Sequence, residues 1–388
     1  MKAYIAIAEE TAAVLHGVSE FIHSHPEPGF EEFKAAERIK TFLEEHGFEV
    51  EDNAGGLPTA LKAFRRSRNA ENAPVFCFMG EYDALAVMGH GCGHNLIAVS
   101  ALTAAYVAAE YAQRNGIDAN ICFAGTPAEE GGGGKVKMVE AGAFDGIDAA
   151  LIAHPFDRTT PDLGGLSVAR AYITFRGRAS HAAFAPEEGI NALDTMVEFY
   201  NGILEWKKHI TDRERVHGII TKGGDAANII PDHTEAFFYV RAPGEPEIQL
   251  LKTKLEELAK NVAGKTGCTY DVNWVSAYKG LIFNKPFNDE YIAAWGELGE
   301  KLVLTDGTEG RGSTDTGDVS QIMPCAHFYF GITDGKSVPL HTIDFREAAA
   351  TDGAFRQALL TGAVMARIAI RYFADSAFCE SVHKNYQN

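Results

Sequence analysis

Helical and extended patterns of hydrophobic residues alternate over the first third of the chain. Apolar positions at helical spacing predict helices over 5–23, 31–46 and 95–112. Short continuous apolar runs predict buried strands at 73–79, 119–124 and 149–153. Helices that alternate with fully apolar strands are typical of a mostly parallel sheet covered by helices. The predicted fold class is therefore α/β.

The middle of the chain has a different pattern. Strands with one exposed face are predicted at 166–176, 234–241 and 269–275, and amphipathic helices at 191–210 and 247–264. This β-α-β-α-β order indicates a smaller α+β domain inserted into the larger one. Towards the C-terminus, a predicted strand at 327–331 and a predicted helix at 351–374 again have the α/β pattern of the first third of the chain.

The change of pattern predicts three segments. A catalytic domain occupies 1–168 and 284–388, and the inserted domain occupies 169–283. Glycines at Gly164-Gly165 and the Asn-Lys-Pro segment 284–286 are plausible hinges at its two ends.

Composition and charge limit the classes of molecule that are expected as partners. The 388 residues suffice for two or three domains, and 53 acidic against 35 basic side chains give a net charge of −18. An acidic surface without a basic stripe repels phosphate backbones, so we expect no nucleic-acid partner. The most apolar stretch, 95–109, is too short to span a bilayer, so we expect no membrane partner. The six cysteines form no CxxC pair, which favours reduced thiols and a cytoplasmic location.

Two clusters of reactive side chains follow predicted strands. Cys92 and His94 lie in a glycine-rich segment after strand 73–79, and in extended backbone both side chains would point to one side. They could hold Zn²⁺ or Mn²⁺, although a structural turn has the same pattern. Glu129 and Glu130 follow strand 119–124 and precede four glycines. One carboxylate could bind a metal while the other acts as a general base, although a flexible acidic loop is an alternative.

Two histidines complete the candidate set. His154 follows strand 149–153, and His341 follows a loop near the C-terminus. A lone histidine of this kind is more often a structural residue than a metal ligand. Because the carboxyl ends of parallel strands meet at one edge of a sheet, the clusters are expected to converge. Hydrolysis assisted by one or two metal ions is therefore the leading hypothesis. The phosphate-loop, GxSxG, HExxH and GxGxxG patterns are missing from the sequence, which weakens the rival chemistries.

Eight motifs in one order extend over about residues 15–365. They are GEYDAL, GHGCGHN, GTPAEEGGGGK, AHP, RASHAAFAPEEGINAL, NIIPDHTEAFFYVR, GSTDTGDVS and LHT. This order resembles the M20 metallopeptidase family, and within it the amidohydrolase branch that contains p-aminobenzoyl-glutamate hydrolase subunits and β-alanyl-lysine-type dipeptidases. The resemblance implies two co-catalytic divalent metal ions per chain, Mn or Zn, and an inserted lid domain that forms a homodimer. The ligands that it implies are Cys92, His94, Glu130, His154 and His341.

The resemblance also implies roles for residues that do not bind metal. Glu129 matches the general base, and His181 matches a lid histidine that reaches into the partner subunit's site. Asn228 matches a lid residue that holds the substrate or polarises its carbonyl. Arg241 is a weaker match to a residue that binds a substrate carboxylate, and a surface arginine is an equally good interpretation.

Two acidic residues near the first cluster are harder to interpret. Glu81 stands where other family members place a metal-binding histidine, so Cys92 and His94 are expected to serve that part of the site. Asp83 either orients a ligand or is a turn residue.

The expected function is metal-dependent hydrolysis of the amide bond of an N-acyl or aminoacyl amino acid or a small dipeptide. Two alternatives stay open: a deacylase of another small amine conjugate at the same site, and a catalytically silent binding homologue. The intact Glu129-Glu130 pair and the five candidate ligands favour catalysis.

Overall fold

The structure is a computed structural model that describes residues 1–67 and 73–387. The strands are β1 Glu49–Asp52, β2 Leu61–Arg66, β3 Val75–Gly80, β4 Asn120–Gly125, β5 Ala149–Phe156, β6 Ser167–Arg176, β7 Arg215–Lys222, β8 His233–Ala242, β9 Thr269–Tyr278 and β10 Cys325–Gly331. The helices are α1 Lys2–Glu9, α2 Ala12–Ser24, α3 Phe33–Glu45, α4 His94–Asn115, α5 Gly134–Glu140, α6 Ala192–Trp206, α7 Glu245–Thr266, α8 Lys285–Glu297, α9 Thr316–Ser320, α10 Ile343–Ala348, α11 Asp352–Ala374 and α12 Ser376–Gln387.

The chain divides into two compact units. The first unit comprises Met1–Gly164, Ile282–Gly310 and the chain from Asp318 onward. The second unit comprises Gly165–Leu281 together with Arg311–Gly317. The sequence predicts an inserted domain at 169–283. The second unit begins and ends a few residues earlier than this, and it also includes the segment Arg311–Gly317.

The first unit contains a six-stranded sheet in the order β1-β2-β4-β3-β5-β10. Strands β4, β3, β5 and β10 run parallel to one another, whereas β2 pairs antiparallel with β4 on one side and with β1 on the other. This largely parallel sheet flanked by helices confirms the predicted α/β class. Strands β1 and β2 were not predicted because their segments EVED and LKAFRR carry charges and lack a continuous apolar run.

The helix α4 is the core of the first unit. It is long and apolar enough, by length and composition alone, to cross a membrane, but 89% of its apolar window is buried inside the protein. It packs against α11 and against β3, β4 and β5. The helix continues three residues beyond the predicted end at 112 and is capped by Gly116, whose φ is +65°. It is therefore a buried core helix of this unit, and its first residue is His94.

The second unit contains a four-stranded antiparallel sheet in the order β7-β8-β6-β9, with α6 and α7 packed on it. Burial alternates along β8, as expected for a sheet with one covered face. The predicted β-α-β-α-β order is wrong at β7, which adds an edge strand. This strand was not predicted because most of its residues are exposed and Gly218 interrupts the pattern. Glycine fits at this position because a Cβ there would lie 2.5 Å from the Phe238 ring.

Candidate metal centre and catalytic site

The candidate reactive side chains converge at the carboxyl ends of β3, β4 and β5, with His154 among the last residues of β5 itself. Three groups of possible ligand atoms lie there, the atoms of each group within 4.8 Å of one another. The groups are Cys92, His94 and His154; Cys92, Glu130 and His341; and Glu81, His94 and Glu129. The first unit thus contains all five candidate ligands as well as the candidate base.

Direct distances define the centre more closely. The Sγ atom of Cys92 lies 3.3 Å from Nε2 of His154. Nε2 of His341 lies 3.0 Å from Oε1 of Glu130, and Nε2 of His94 lies 4.0 Å from the same oxygen. One thiol, three imidazoles and one carboxylate therefore surround a common space.

The turn that carries Cys92 and His94 is not extended. Gly93 between them has φ +76°, and His94 already begins α4. A Cβ on Gly93 would lie 2.6 Å from Cγ of Pro155, the residue after His154. The expectation of extended backbone is therefore wrong. A left-handed glycine, packed against the end of β5, brings Cys92, His94 and His154 together.

Glycines also shape the loop that carries Glu129 and Glu130. Gly131 and Gly133 have φ values of +99° and +66°, and a Cβ on Gly134 would lie 1.8 Å from the carbonyl oxygen of Pro127. Upstream of the glutamates, Ala128 has φ +58°, and its backbone N–H donates to Glu32 at 2.8 Å. These glycines permit a specific backbone path. A flexible acidic loop is therefore not needed to explain why they are present.

The loop that carries His341 is tied to the cysteine turn. The backbone N–H of His341 donates to the carbonyl of Gly91 at 2.9 Å. The φ of His341 is +61°, a left-handed conformation that is uncommon for residues other than glycine and that clusters at functional sites. Its imidazole is thereby placed against Glu130.

Hydrogen bonds leave the Nε2 atoms of two histidines directed at the centre. Nδ1 of His94 donates to Oδ1 of Asp83 at 2.8 Å, and Nδ1 of His154 donates to the carbonyl of Pro155 at 2.6 Å. The other carboxyl oxygen of Asp83 accepts the backbone N–H of Glu130 at 3.0 Å. Asp83 therefore orients the imidazole of a candidate ligand. A bond of this kind to Nδ1 is what metal-binding histidines usually have.

Burial and charge shift the pKa values in this centre. Burial raises the pKa of the Cys92 thiol, and burial together with His94 lowers the pKa of His154 to about 4. Burial also opposes ionisation of Glu130, but His341 and His94 outweigh it and lower the pKa of that carboxyl. Glu130 is therefore anionic and His154 is neutral at pH 7, as metal coordination requires, whereas the thiol would release its proton on binding.

The donor set fits a divalent transition metal. Within the described residues, Nε2 of His94 and Oε2 of Glu81 are buried and have no hydrogen-bond partner. Unpaired buried polar atoms of this kind are rare and indicate a missing partner. Thiolate and imidazole ligands with one or two carboxylates suit Zn²⁺ or a similar ion.

The other candidate site residues lie in the second unit. Nδ1 of His181 accepts the backbone N–H groups of Ala183 and Phe184 at 3.3 and 3.2 Å, so the proton of the neutral imidazole is on Nε2. The carbonyl of Asn228 accepts the N–H of Ala182 at 3.0 Å, which brings Asn228 close to His181 in the chain fold. The side chains of both residues are exposed.

Arg241 lies at the end of β8 and is partly buried. Its Nη1 donates to Oγ of Ser313 at 2.7 Å, and among the described residues no carboxylate forms an ion pair with it. The segment 311–317, to which the sequence alone assigns no role, therefore supplies a hydrogen bond to a candidate substrate-binding residue.

Two buried residues near the centre were not predicted from the sequence. Glu32 anchors the loop before Glu129 and also accepts the hydroxyl of Thr59 at 2.8 Å. Lys135, buried at the start of α5, donates to Glu81 at 2.5 Å. The only signal for Lys135 in the sequence is its place directly after the four glycines 131–134. Nothing in the sequence around Glu32 distinguished it from other helix-proximal glutamates.

A ring of thiol, imidazole and carboxylate groups beside a second carboxylate, at the carboxyl edge of a parallel sheet, is a site typical of metal-dependent hydrolases. The sequence profile of peptidase family M20/M25/M40 matches residues 77–358. The chain belongs to this family, which confirms the resemblance inferred from its motifs. It is therefore a metal-dependent enzyme that hydrolyses amide bonds.

Known proteins are similar over nearly the whole chain. A Xaa-Arg dipeptidase of Mus musculus is 36% identical over 98% of this chain and 90% of its own length. A p-aminobenzoyl-glutamate hydrolase subunit of Escherichia coli is 28% identical over 95% of this chain and 91% of its own length. A dinuclear metal-binding M20 peptidase of Bacillus subtilis has the same fold, with a TM-score of 0.70 at 21% identity over 91% of this chain and 98% of its own.

Proposed function

We propose that this chain is a dipeptidase with two divalent metal ions, Mn or Zn, and that it cleaves dipeptides with a basic C-terminal residue. The observation that carries this proposal is the convergence of Cys92, His94, Glu130, His154 and His341 around one space, with Glu129 beside it. The similarity to a Xaa-Arg dipeptidase over 98% of the chain supports the substrate class. A net charge of −18 also favours cationic over anionic substrates.

Glu129 is the general base in this proposal. Bound metal ions would polarise the amide carbonyl and make water a nucleophile at neutral pH. Glu129 takes a proton from the attacking water and passes it to the departing amine nitrogen. The buried Asp83 keeps the imidazole of His94 in the orientation and tautomer that this site requires.

Residues of the second unit bind and polarise the substrate. Arg241, a guanidinium without a carboxylate partner among the described residues, binds the C-terminal carboxylate of the dipeptide. Asn228 donates to the substrate backbone. His181 stabilises the developing oxyanion through its Nε2–H, because its Nδ1 is already occupied by backbone amides.

We further propose that the active species is a homodimer formed through the second unit, in which His181 acts in the partner subunit's site. The edge strand β7 supports this, since its Ile219 and Ile220 are 64% and 38% exposed. A cytoplasmic location is part of the same proposal. It is supported by the free thiols of all six cysteines.

A substrate panel tests the function. The purified protein, stripped by a chelator and reloaded with Mn²⁺ or Zn²⁺, is incubated with alanyl-arginine, β-alanyl-lysine, alanyl-glutamate, p-aminobenzoyl-glutamate and an N-acetyl amino acid. We expect metal-dependent cleavage that is fastest for the basic dipeptides, and Glu129→Gln serves as the inactive control. Preferred cleavage of the acyl conjugates would instead favour a deacylase. No cleavage of any compound by metal-loaded protein would favour a binding role.

Mixed dimers test the shared site. Neither Glu129→Gln nor His181→Ala protein is expected to be active alone, but a mixture allowed to exchange subunits should regain activity. It regains activity because one of the two sites then combines an intact Glu129 with an intact His181. A mixture no more active than its two parents would show that His181 does not act in the partner subunit.

A further inference from the structure

A buried ion pair lies directly beside the candidate metal centre. Nζ of Lys135 donates to Oε1 of Glu81 at 2.5 Å, and the two side chains are 0% and 1% exposed. Glu81 immediately follows β3, and Lys135 is in the first turn of α5. Replacing a buried ion pair by apolar residues is often neutral for stability, so stability alone gives little reason for these charges.

The second oxygen of Glu81 has no protein partner. Oε2 is buried, and within the described part of the chain it accepts no hydrogen bond. It lies 3.5 Å from Nε2 of His94, which is also buried and unpaired. That separation is longer than an ordinary hydrogen bond between nitrogen and oxygen. Both atoms would be satisfied by one group placed between them.

The surroundings identify that group as a cation. Asp83 already occupies Nδ1 of His94, so Nε2 is the nitrogen that faces Glu81. A carboxylate oxygen of Glu129 lies within 4.8 Å of a possible ligand atom of each of these two residues. An imidazole nitrogen flanked by two carboxylates is a donor set for a divalent metal ion, whereas it would repel an anionic ligand.

We propose that Glu81 is a further ligand of the metal centre through Oε2 and that Lys135 is a positioning residue that holds Glu81 in place. This inference rests on the proposed two-metal function and revises the expectation that Cys92 and His94 alone serve this part of the site. Because Lys135 occupies Oε1, Glu81 offers a single oxygen to the metal. The ammonium group also offsets part of the negative charge that the ligands and Glu129 bring together.

Metal binding by the Glu81→Gln variant tests the ligand role without any substrate. The chelator-stripped protein is titrated with Mn²⁺, and free Mn²⁺ is followed by electron paramagnetic resonance. We expect wild type to bind two equivalents and Glu81→Gln to bind one of them at least about 10-fold more weakly. Unchanged affinity for both equivalents would overturn the assignment.

A matched control separates this effect from the general loss of a buried carboxylate. Glu290 is buried and paired with Arg367 and Arg371, outside all three candidate ligand groups. Glu290→Gln is expected to bind Mn²⁺ as wild type does. An equal weakening in Glu290→Gln would mean that the loss at Glu81 is structural.

Two variants of Lys135 test the positioning role. Lys135→Met leaves the Glu81 carboxylate mobile and is expected to weaken Mn²⁺ binding, whereas wild-type binding would overturn this role. Because an uncompensated buried charge can prevent folding, the second variant is the uncharged double variant Glu81→Gln/Lys135→Met. It should unfold thermally close to wild type yet bind Mn²⁺ as weakly as Glu81→Gln. Wild-type affinity in the double variant would exclude Glu81 as a ligand.

The outcomes for this inference and for the proposed function are distinct. Wild-type protein that binds two Mn²⁺ ions but cleaves no amide substrate would refute the dipeptidase function and leave the role of Glu81 intact. Active wild-type protein with normal metal binding in Glu81→Gln would refute the role of Glu81 and leave the function intact.

Discussion

A single buried carboxylate, Asp83, connects two parts of the metal centre. Its Oδ1 accepts Nδ1–H of His94 at 2.8 Å, and its Oδ2 accepts the backbone N–H of Glu130 at 3.0 Å. The side chain is 0% exposed, so bulk water cannot replace either acceptor. We predict that Asp83→Asn weakens both the folded protein and its metal binding.

The size of the effect follows from the number of acceptors. An asparagine offers one acceptor oxygen where two donors need one each, so one buried N–H loses its partner. Such a loss costs about 1–3 kcal/mol of stability. Loss of a residue that orients a histidine ligand typically weakens metal binding by about 10–100-fold. At about 1.4 kcal/mol for each factor of ten, this is about 1.4–2.8 kcal/mol of binding free energy.

The assay compares Asp83→Asn with Asp162→Asn at pH 7. Asp162 is also fully buried in the first unit, and it accepts backbone N–H groups from Gly164 at 2.7 Å and His327 at 3.2 Å. Both variants should lower the free energy of unfolding in urea, whereas only Asp83→Asn should weaken Mn²⁺ binding by the stripped protein. Wild-type Mn²⁺ affinity in Asp83→Asn, or an equal loss in Asp162→Asn, would refute the positioning role of Asp83.

Three other predictions follow from the same contacts. Glu129→Gln should keep the metal content and thermal unfolding temperature of wild type. Its turnover should fall by about 10²–10⁴-fold, because an amide cannot accept the proton of water. Wild-type turnover in this variant would exclude Glu129 as the base. Burial raises the pKa of Asp162 from 3.8 to about 7. The carboxyl group of Asp162 therefore stays protonated to a higher pH in the folded protein than in the unfolded chain. Its contribution to the free energy of unfolding is complete below about pH 4 and is lost as the pH rises through 7. The unfolding free energy of wild type minus that of Asp162→Asn should thus fall between pH 5 and pH 8, and a constant difference would contradict the shifted pKa. Gly93→Ala puts a Cβ 2.6 Å from Cγ of Pro155 at a φ of +76°. It should lower the free energy of unfolding by about 1–3 kcal/mol and also weaken Mn²⁺ binding, so wild-type values for both would contradict the packing of this turn.

The parts of the fold that follow from the sequence are those with an uninterrupted hydrophobic pattern. The central strands β3, β4 and β5 are apolar on both faces, so their positions and their shared carboxyl edge could be predicted. The convergence of Cys92, Glu130 and His154 follows from that edge. Strands β1, β2 and β7 could not be predicted in this way, because charged or exposed residues interrupt their patterns.

The supporting residues of the site depend on contacts between distant segments. Glu32 and Ala128 are 96 positions apart, and Glu81 and Lys135 are 54 positions apart. No local spacing marks such pairs, because each forms only after the sheet has brought the loops together. The bond between Asp83 and His94 is closer in sequence, but its direction depends on the left-handed Gly93 and the start of α4.

The most direct test of a metal-dependent hydrolytic centre is to titrate the chelator-stripped enzyme with Mn²⁺ while measuring hydrolysis of alanyl-arginine. We predict no turnover without metal, a rise to a plateau at two equivalents per chain, and the same two equivalents bound by Glu129→Gln without turnover. Turnover that persists in excess chelator, or that reaches its plateau with no dependence on bound metal, would contradict a metal-dependent hydrolytic centre built from Cys92, His94, Glu130, His154 and His341.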